Sequence, residues 1–433
     1  MPTIHIFPEH LHLVAAQETG TLTEDITAET GNRKPRELMP DSSTLLDYVA
    51  KDAVVVDKTD MIFDLLTGPG RSYCLSRPRK FGKTLLLDTI HHIVQGRRHL
   101  FKGTHIERKG SEYSWDPYPV IRISFSGFPL EPDAFKQRLL HTLDQISEQK
   151  ELFLKPAQDV TGIMDIVTQV SKRYPSSGME RQSSAVEDVH PNTVLLIDDF
   201  DLPLLLNVKN PKIIIKIRMI LQEFFKTIEI CENMLRFTFI TGVSKFSFMH
   251  NIDDITFDKH YSSICGFTED EIRENFHYHI LCSLPSMAKQ FYDEPDYTYE
   301  MLMDKLESWY GGYSWDGNTK VFNPYSVTCC LNENEFAFFW YNYYKYQLPT
   351  YWDTLLPFPF IRGKFNNICI DEFEPVNEYY YFLGISFLFY TGYLTIDRII
   401  VDPKIIIYIL KCTNCEIKEG YDLNYMKKLL LPD

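Results

Sequence analysis

The sequence predicts an α/β fold, in which a mainly parallel sheet flanked by helices is followed by a helical region. Short apolar segments alternate with helical segments over the first 264 residues. Gly82-Lys83-Thr84 ends a loop of phosphate-binding type between the first apolar segment and a helix. After residue 265 the chain becomes rich in aromatic residues and helical in pattern. A chain of 433 residues is also long enough for two or three domains.

Four apolar segments are predicted as strands, and three longer segments between them as helices. The strands are residues 73–75, 120–125, 193–197 and 237–240, and the helices are residues 84–95, 132–148 and 211–230. Residues 193–197 form a continuous apolar run, as expected of a strand buried on both faces. Strands that alternate with helices form a parallel sheet covered by helices on both sides.

Residues 76–84 read Ser-Arg-Pro-Arg-Lys-Phe-Gly-Lys-Thr and end as a phosphate-binding loop ends. In such a loop Gly82 lets the backbone approach the phosphates, and Lys83 reaches the β and γ oxygens. The Thr84 hydroxyl reaches Mg²⁺, and Leu85 opens a helix whose N-terminus points at the anion. We therefore predict nucleotide contacts from Gly82, Lys83, Thr84 and Leu85, and a magnesium contact from Thr84.

Arg77 stands where the usual G-x-x-x-x-G-K-[ST] pattern has its first glycine. Guanidinium groups bind phosphate bidentately, so we predict that Arg77, Arg79 and Lys80 contact the nucleotide and compensate for the lost backbone freedom. The alternative is a degenerate loop that binds nucleotide weakly or not at all. Residues 71–110 hold ten Lys or Arg and two acids in a chain of net charge −15, which predicts a nearby anion. A solvated basic helix face is the alternative.

The third predicted strand delivers Asp198 and Asp199 to the edge of the sheet, as a Walker B segment does. Asp198 is predicted to hold Mg²⁺ opposite Thr84, and Asp199 to polarise the attacking water. Aspartate is one methylene shorter than the glutamate common at this position. A strand capped by two turn residues would give the same pattern.

The fourth predicted strand ends in polar residues that are well placed to sense a γ-phosphate. Thr241 is our first choice for this role, and Ser244 or Lys245 the alternative. A plain strand-to-loop turn explains these residues nearly as well.

Cysteine usage and hydropathy predict an intracellular protein, either cytoplasmic or nuclear. Nine scattered cysteines fit a reducing compartment, and the N-terminus lacks a basic leader followed by an apolar core. Cys412 and Cys415 form a C-x-x-C without a second ligand pair, so we expect two ordinary thiols and no zinc site. Residues 379–396 carry no charge but contain many Tyr, Thr and Gly residues, which predicts a buried helix-turn-strand and no membrane contact.

Several segments in order along the chain carry a resemblance to a known family. They are residues 56–59, 75–85, 196–203, 241–246, 265–271, 309–313, 322–326 and 391–396. In these segments the chain resembles the AAA-ATPase-like family, whose P-loop NTPase domain is often fused to a PD-(D/E)XK nuclease-like domain. The resemblance implies ATP and Mg²⁺ as ligands, and an arginine-rich loop is typical of this family.

Composition and pattern also predict a domain organisation, and the resemblance implies the P-loop NTPase core and the winged-helix-like character of the region after it. Residues 1–43 would be a flexible leader, residues 44–264 the P-loop NTPase domain with an exposed insertion at 174–192, and residues 265–433 a helical, winged-helix-like region. Two departures stand out. The family usually has Asp-Glu where this chain has Asp198-Asp199. After residue 396 the chain offers Glu416-Ile-Lys418 but little room for a nuclease fold, so no nuclease activity is expected.

These observations give one leading hypothesis and two alternatives. The leading hypothesis is an ATP-binding P-loop protein, a slow Mg²⁺-dependent ATPase that couples nucleotide state to movement of its helical region. The first alternative is a scaffold that binds nucleotide without hydrolysing it, with a protein partner or a second copy of the chain. Nucleic-acid association through residues 71–110 is less favoured, because the remaining chain is acidic.

Overall fold

The computed structural model describes most of the chain. The described residues are 35–173, 191–207, 210–244, 248–249, 251–289, 297–344, 365–369, 385–401 and 406–430. Among these residues no helix combines the length and the apolar character that crossing a bilayer requires.

A parallel sheet forms the centre of the first half of the chain, as predicted, but it has five strands and not the four that were predicted. Its strands are β1 (Ser72–Ser76), β2 (Val120–Ser124), β3 (Thr193–Asp198), β4 (Leu235–Gly242) and β5 (Asp253–Asp254). They lie in the order β2-β3-β4-β1-β5, and each neighbouring pair is parallel. All residues of β3 are buried, as its apolar sequence predicted. The carboxyl ends of β3, β4 and β1 therefore meet at one edge of the sheet.

Eight helices accompany this sheet among the described residues. They are α1 (Leu45–Ala50), α2 (Thr59–Thr67), α3 (Lys83–Val94), α4 (His105–Arg108), α5 (Pro132–Gln149), α6 (Gly162–Arg173), α7 (Leu202–Leu206) and α8 (Pro211–Ile230). The three predicted helices correspond to α3, α5 and α8. Proline stands in the first turn of α5 and α8, where its missing N–H costs nothing. Sequence analysis missed α6, although its buried residues Ile163, Ile166, Val167 and Val170 have helical spacing.

The C-terminal region is helical, as predicted, but it also contains a small sheet that sequence analysis missed. Its helices are α9 (Glu269–Ala288), α10 (Tyr299–Tyr310), α11 (Pro324–Glu333), α12 (Phe339–Tyr344), α13 (Ile385–Tyr390) and α14 (Cys415–Leu430). Strands β6 (Phe365–Cys369), β7 (Leu394–Val401) and β8 (Ile406–Cys412) are antiparallel in the order β6-β8-β7. Helix α13, a turn at Gly392 and β7 confirm the predicted helix-turn-strand from residue 385 onward. The winged-helix character remains a prediction.

The main hydrophobic core runs without interruption from the parallel sheet into the C-terminal region. It joins the buried residues of β1 to β4 with Tyr313, Trp315, Trp340 and Tyr341 and with residues of β7 and β8. A second cluster lies between α9, α10 and α11 and includes Leu38 and Val54 from the start of the chain. Residues on both sides of the predicted boundary at 264 and 265 thus share one core.

Parts of the predicted leader and insertion are packed. Residues 1–34 and 174–190 lie outside the described residues. Leu38, which we assigned to the flexible leader, is buried, and its carbonyl accepts a hydrogen bond from the Asn332 side chain at 3.1 Å. Asn192, which we assigned to the exposed insertion, is buried and donates to the Ser171 carbonyl at 3.0 Å. Both assignments are corrected at these residues, because the side chains fill space against neighbouring helices.

Candidate nucleotide-binding site

The phosphate loop connects β1 to α3 at the carboxyl edge of the sheet. Ser76 ends β1 opposite Gly242 of β4, and α3 begins at Lys83 directly after Gly82. Gly82 has a φ of 87°, in the left-handed region, while a Cβ added there would meet nothing within 4 Å. The backbone conformation, and not crowding, is therefore what requires glycine at this position.

Lys83 lies inside the loop. Its side chain is buried, and Nζ donates to the carbonyl oxygens of Arg77 and Pro78, at 3.0 Å each. An ammonium group held only by carbonyl oxygens of the loop can exchange these bonds for phosphate oxygens, which bind it more strongly.

Asp198 brings together residues from three elements. It is buried at the end of β3, and its Oδ2 accepts a hydrogen bond from Thr84 Oγ1 at 2.7 Å. Its Oδ1 accepts one from Thr241 Oγ1 on β4 at 2.6 Å. The structure thus joins the predicted magnesium ligands, Thr84 and Asp198, to the predicted sensor, Thr241.

The Thr84 and Asp198 oxygens fit a magnesium ion. Mg²⁺ in nucleotide sites takes one or two protein oxygens and completes its shell with phosphates and water. Among the described residues, no group of three or more His, Cys, Asp or Glu side chains could hold a metal ion. A cation at Thr84 and Asp198 would therefore need phosphate or water oxygens as its other ligands. The chemistry of this donor set is that of a cation bound together with a phosphate.

Asp199 follows Asp198 in the chain and, like Thr84 but unlike Asp198 and Thr241, lines a cleft beside the loop. It is half-buried and has a φ of 52°, in the left-handed region. Burial raises its pKa above the usual aspartate value, and the charge of Asp198 acts in the same direction, whereas Lys83 and Arg79 oppose both. A cleft carboxylate with a raised pKa suits a group that exchanges protons.

Arg77 does not contact the cleft, which corrects our prediction of a phosphate ligand. Its guanidinium is fully buried and donates to the carbonyl oxygens of Ser76, Thr256 and Tyr261 at 2.8, 3.0 and 3.1 Å. The guanidinium carbon lies 4.0 Å from the centre of the Trp315 ring. Burial lowers the pKa of Arg77 to about 10. Because carbonyl oxygens accept hydrogen bonds from both terminal nitrogens of the guanidinium, Arg77 stabilises the loop and does not bind a phosphate in the cleft.

Arg79, Lys80 and Leu85 line the cleft, as their predicted roles require. Lys80 is also held by other groups: its Nζ lies 2.8 Å from Asp41 Oδ1 and above the rings of Tyr325 and Tyr343. A phosphate would therefore compete with Asp41 for this ammonium group.

The cleft above the loop has a volume of about 330 Å³. It is lined by residues 38–43, 54–59, 79–86 and 264–267 and by Asp199. The lining combines cationic side chains of the loop with valine, isoleucine and phenylalanine side chains. This combination and this size suit a small ligand with an anionic end and a flat apolar end.

Sequence analysis missed Asp201, which fixes the end of β4. Its carboxylate is buried, and Oδ2 accepts hydrogen bonds from Val243 N, Ser244 N and Ser244 Oγ at 2.9, 2.7 and 2.7 Å. Ser244, the alternative sensor, is therefore engaged here, while Lys245 lies outside the described residues. The third acid in Asp-Asp-Phe-Asp was the signal that could have found this residue.

Comparison with known proteins agrees with this geometry. The family described as AAA-ATPase-like, "Predicted AAA-ATPase", matches residues 47–252. Over this segment the chain is similar to the AAA-ATPase-like family. This AAA-ATPase-like segment contains the phosphate loop, Asp198 and Thr241. The family match therefore supports the interpretation that the chain is a P-loop protein that binds nucleotide.

One relative extends the similarity beyond that segment. The chain is 30% identical over 379 residues to an "Uncharacterized protein in vnfD 5'region" of Azotobacter chroococcum mcd 1. The alignment covers 85% of this chain and 65% of the relative, so the chain spans less than two thirds of that protein's length. No solved structure matches the chain.

Proposed function

We propose that this protein binds ATP together with Mg²⁺, hydrolyses it slowly, and couples the nucleotide state to movement of its C-terminal region. The single observation that supports this most strongly is the convergence of Thr84, Asp198 and Thr241 beside Lys83. Three elements far apart in sequence supply this group at the edge of a parallel sheet, where P-loop proteins bind phosphates. The preference for ATP over GTP rests on the family.

Each residue of the group has a chemical task in this proposal. Lys83 leaves the Arg77 and Pro78 carbonyl oxygens and neutralises the β and γ phosphates. Thr84 and Asp198 would hold Mg²⁺, which neutralises charge on the phosphates when it is bound. Thr241 donates to Asp198 and thereby orients its carboxylate. Asp199 orients and deprotonates the attacking water, which its raised pKa favours.

A nucleotide-binding scaffold without hydrolysis is the second candidate. The observation in its favour is Asp199 itself, whose carboxylate is shorter than the glutamate usual in this family. In that case the cleft would bind nucleotide with the same residues, and the bound state alone would be the signal.

Equilibrium binding of ATP and GTP, each with and without Mg²⁺, tests the proposal. We expect Lys83→Ala to weaken ATP binding about 100-fold or more, because two charge-assisted hydrogen bonds to phosphate are lost. Lys102→Ala is the matched control, since Lys102 belongs to the same basic segment but is exposed outside the cleft. Unchanged ATP affinity of Lys83→Ala, or equal weakening by both variants, would contradict the proposal.

A further inference from the structure

The phosphate loop of this protein is contacted along most of its length by residues of the C-terminal region. The Arg77 guanidinium lies against Trp315, and the Phe81 ring lies 4.7 Å from the centre of Tyr313. Pro78 packs so closely on Gly392 that a Cβ there would lie 2.9 Å from the proline ring. In most phosphate loops, glycines allow the tight turns of the backbone. In this loop, residues of the C-terminal region contact Arg77, Pro78 and Phe81 and thereby constrain its conformation.

One of these contacts is a directional hydrogen bond to the loop backbone. The indole Nε1 of Trp340, on α12, donates to the Arg79 carbonyl oxygen at 3.1 Å. Trp340 is fully buried and does not line the cleft. Any effect of its indole on a bound nucleotide must therefore pass through the loop.

The Arg79 carbonyl determines the direction of the next N–H group. The peptide unit is planar and trans, so a fixed Arg79 carbonyl points the Lys80 N–H to the opposite side. Lys80 has a φ of 60°, in the left-handed region, a conformation that is unfavourable for residues other than glycine, asparagine and aspartate. Loops that bind phosphate use such turns to direct successive N–H groups at the anion. The indole bond holds the peptide in the orientation that this turn needs.

Trp340 is itself held by a buried carboxylate. Glu416 of α14 accepts hydrogen bonds from Trp340 N at 2.6 Å, from Tyr341 N at 3.1 Å and from Ser326 Oγ at 2.9 Å. Glu416 is fully buried, so water does not compete for these bonds. A continuous chain of hydrogen bonds thus runs from Glu416 through Trp340 to the Arg79 carbonyl.

We propose that Trp340 is a positioning residue for the phosphate loop, and that the C-terminal region sets nucleotide affinity through its bond to Arg79. The inference rests on the proposed function, because it concerns the same loop. The hydrogen bond from Trp340 to Arg79 is then the contact by which the nucleotide state and the C-terminal region influence each other. A change in the position of α12 alters the loop, and a nucleotide bound in the loop favours one position of α12.

The test compares ADP with AMP, since a phosphate loop holds the β phosphate, which AMP lacks. We expect Trp340→Phe to weaken ADP binding about 3- to 10-fold, the effect of one lost hydrogen bond. AMP affinity should stay within about twofold of the unaltered chain. Trp309→Phe is the matched control, because Trp309 is an indole of the same region that packs on Phe336 and Phe338. It should leave both affinities unchanged. Both affinities come from displacement of a fluorescent nucleotide.

The possible results separate the two proposals. If the unaltered chain binds neither ADP nor ATP, the proposed function fails and this inference with it. Two results would overturn only the inference, provided that the unaltered chain binds ADP. In the first, Trp340→Phe binds ADP as well as the unaltered chain does; in the second, Trp340→Phe loses affinity for ADP and AMP to the same extent. Should Trp340→Phe not fold, Trp340→benzothienylalanine keeps the shape of the side chain and replaces the N–H by sulfur. The same ADP-specific loss is then expected.

Discussion

The conformation of a single residue, Asp199, is compatible with an aspartate at the second position of the acidic pair. Its φ of 52° lies in the left-handed region, which aspartate and asparagine tolerate better than longer side chains do. A glutamate would adopt this conformation at greater cost. The shorter carboxylate is therefore compatible with the local backbone, and its position in the cleft keeps it within reach of a water.

Asp199→Asn should separate hydrolysis from binding. Asparagine accepts the same backbone conformation but cannot take a proton. We expect phosphate release to fall about 100-fold or more, while ATP affinity stays within about threefold. The rate of the unaltered chain should also rise with pH, because only the ionised form of Asp199 acts as a base. Single-turnover phosphate release with Mg²⁺ measures both effects.

Asp199→Glu is the companion variant. If the unaltered chain releases no phosphate and only the glutamate variant does, the scaffold function is correct. If Asp199→Asn hydrolyses ATP as fast as the unaltered chain, Asp199 has no part in the reaction.

At the scale of elements, the site depends on how the ends of β3 and β4 are tied together. Thr241 of β4 donates to Asp198 of β3, and Asp201, just beyond β3, accepts from the two residues that follow β4. Gly242 lies between them, where a Cβ would come within 2.6 Å of Phe200 and 2.9 Å of Asp201. The two strand ends therefore form one rigid unit that carries both the predicted metal ligand, Asp198, and the predicted sensor, Thr241.

Asp201→Asn should loosen this unit. The amide oxygen can replace Oδ2, which accepts all three hydrogen bonds, so the N–H₂ group replaces Oδ1, a buried oxygen without a hydrogen-bond partner. The substitution removes the negative charge from these donors and leaves a buried N–H₂ group unsatisfied. We expect the free energy of unfolding to fall by about 2–3 kcal/mol, as measured by denaturant titration. Asp304→Asn on the exposed side of α10 is the control and should change stability by less than about 0.5 kcal/mol. Equal stabilities of the two variants would rule out this role of Asp201.

At the scale of the whole molecule, the two halves of the chain form one connected structure. The main core crosses the predicted boundary, and Lys58 forms an ion pair with Glu271 of α9 at 2.5 Å. Glu271 also completes the capping box with Thr268 that begins α9. Movement of the C-terminal region is therefore expected to strain the phosphate loop and the start of the chain together.

Glu416 makes the stability of this whole structure depend on pH. Burial raises its pKa to about 8, and the neighbouring Tyr310, Tyr313 and Cys330 stay neutral because burial raises their pKa values too. The folded chain thus holds the Glu416 proton more tightly than the unfolded chain. This contribution to stability is complete below about pH 4 and is lost as the pH rises through 8.

Glu416→Gln removes the titrating group. Between pH 5 and pH 8 we expect the unaltered chain to lose about 2 kcal/mol or more of stability relative to this variant. Denaturant titrations at several pH values measure the difference. Glu419 is an exposed neighbour on α14, and the stability of Glu419→Gln should depend on pH as that of the unaltered chain does. If the stabilities of Glu416→Gln and of the unaltered chain depended on pH in the same way, Glu416 would be ionised in the folded state.

The sequence by itself determined the parallel sheet, three of the helices that flank it and the loop ending in Gly82-Lys83-Thr84. These features rest on local patterns: continuous apolar runs, helical spacing and a short motif. It also indicated Asp198 and Thr241, because residues that end parallel strands meet at one edge of the sheet. The structure then placed both against Thr84.

Only the tertiary structure decided what the arginine-rich loop does. Arg77 and Arg79 look alike in sequence, but Arg77 is enclosed by carbonyl oxygens and Trp315, whereas Arg79 lines the cleft. The contacts made by Trp340 and Glu416 join residues more than 70 positions apart, and no local pattern encodes them. A motif specifies which groups are available, but burial and the partners supplied by distant segments determine which way each group faces.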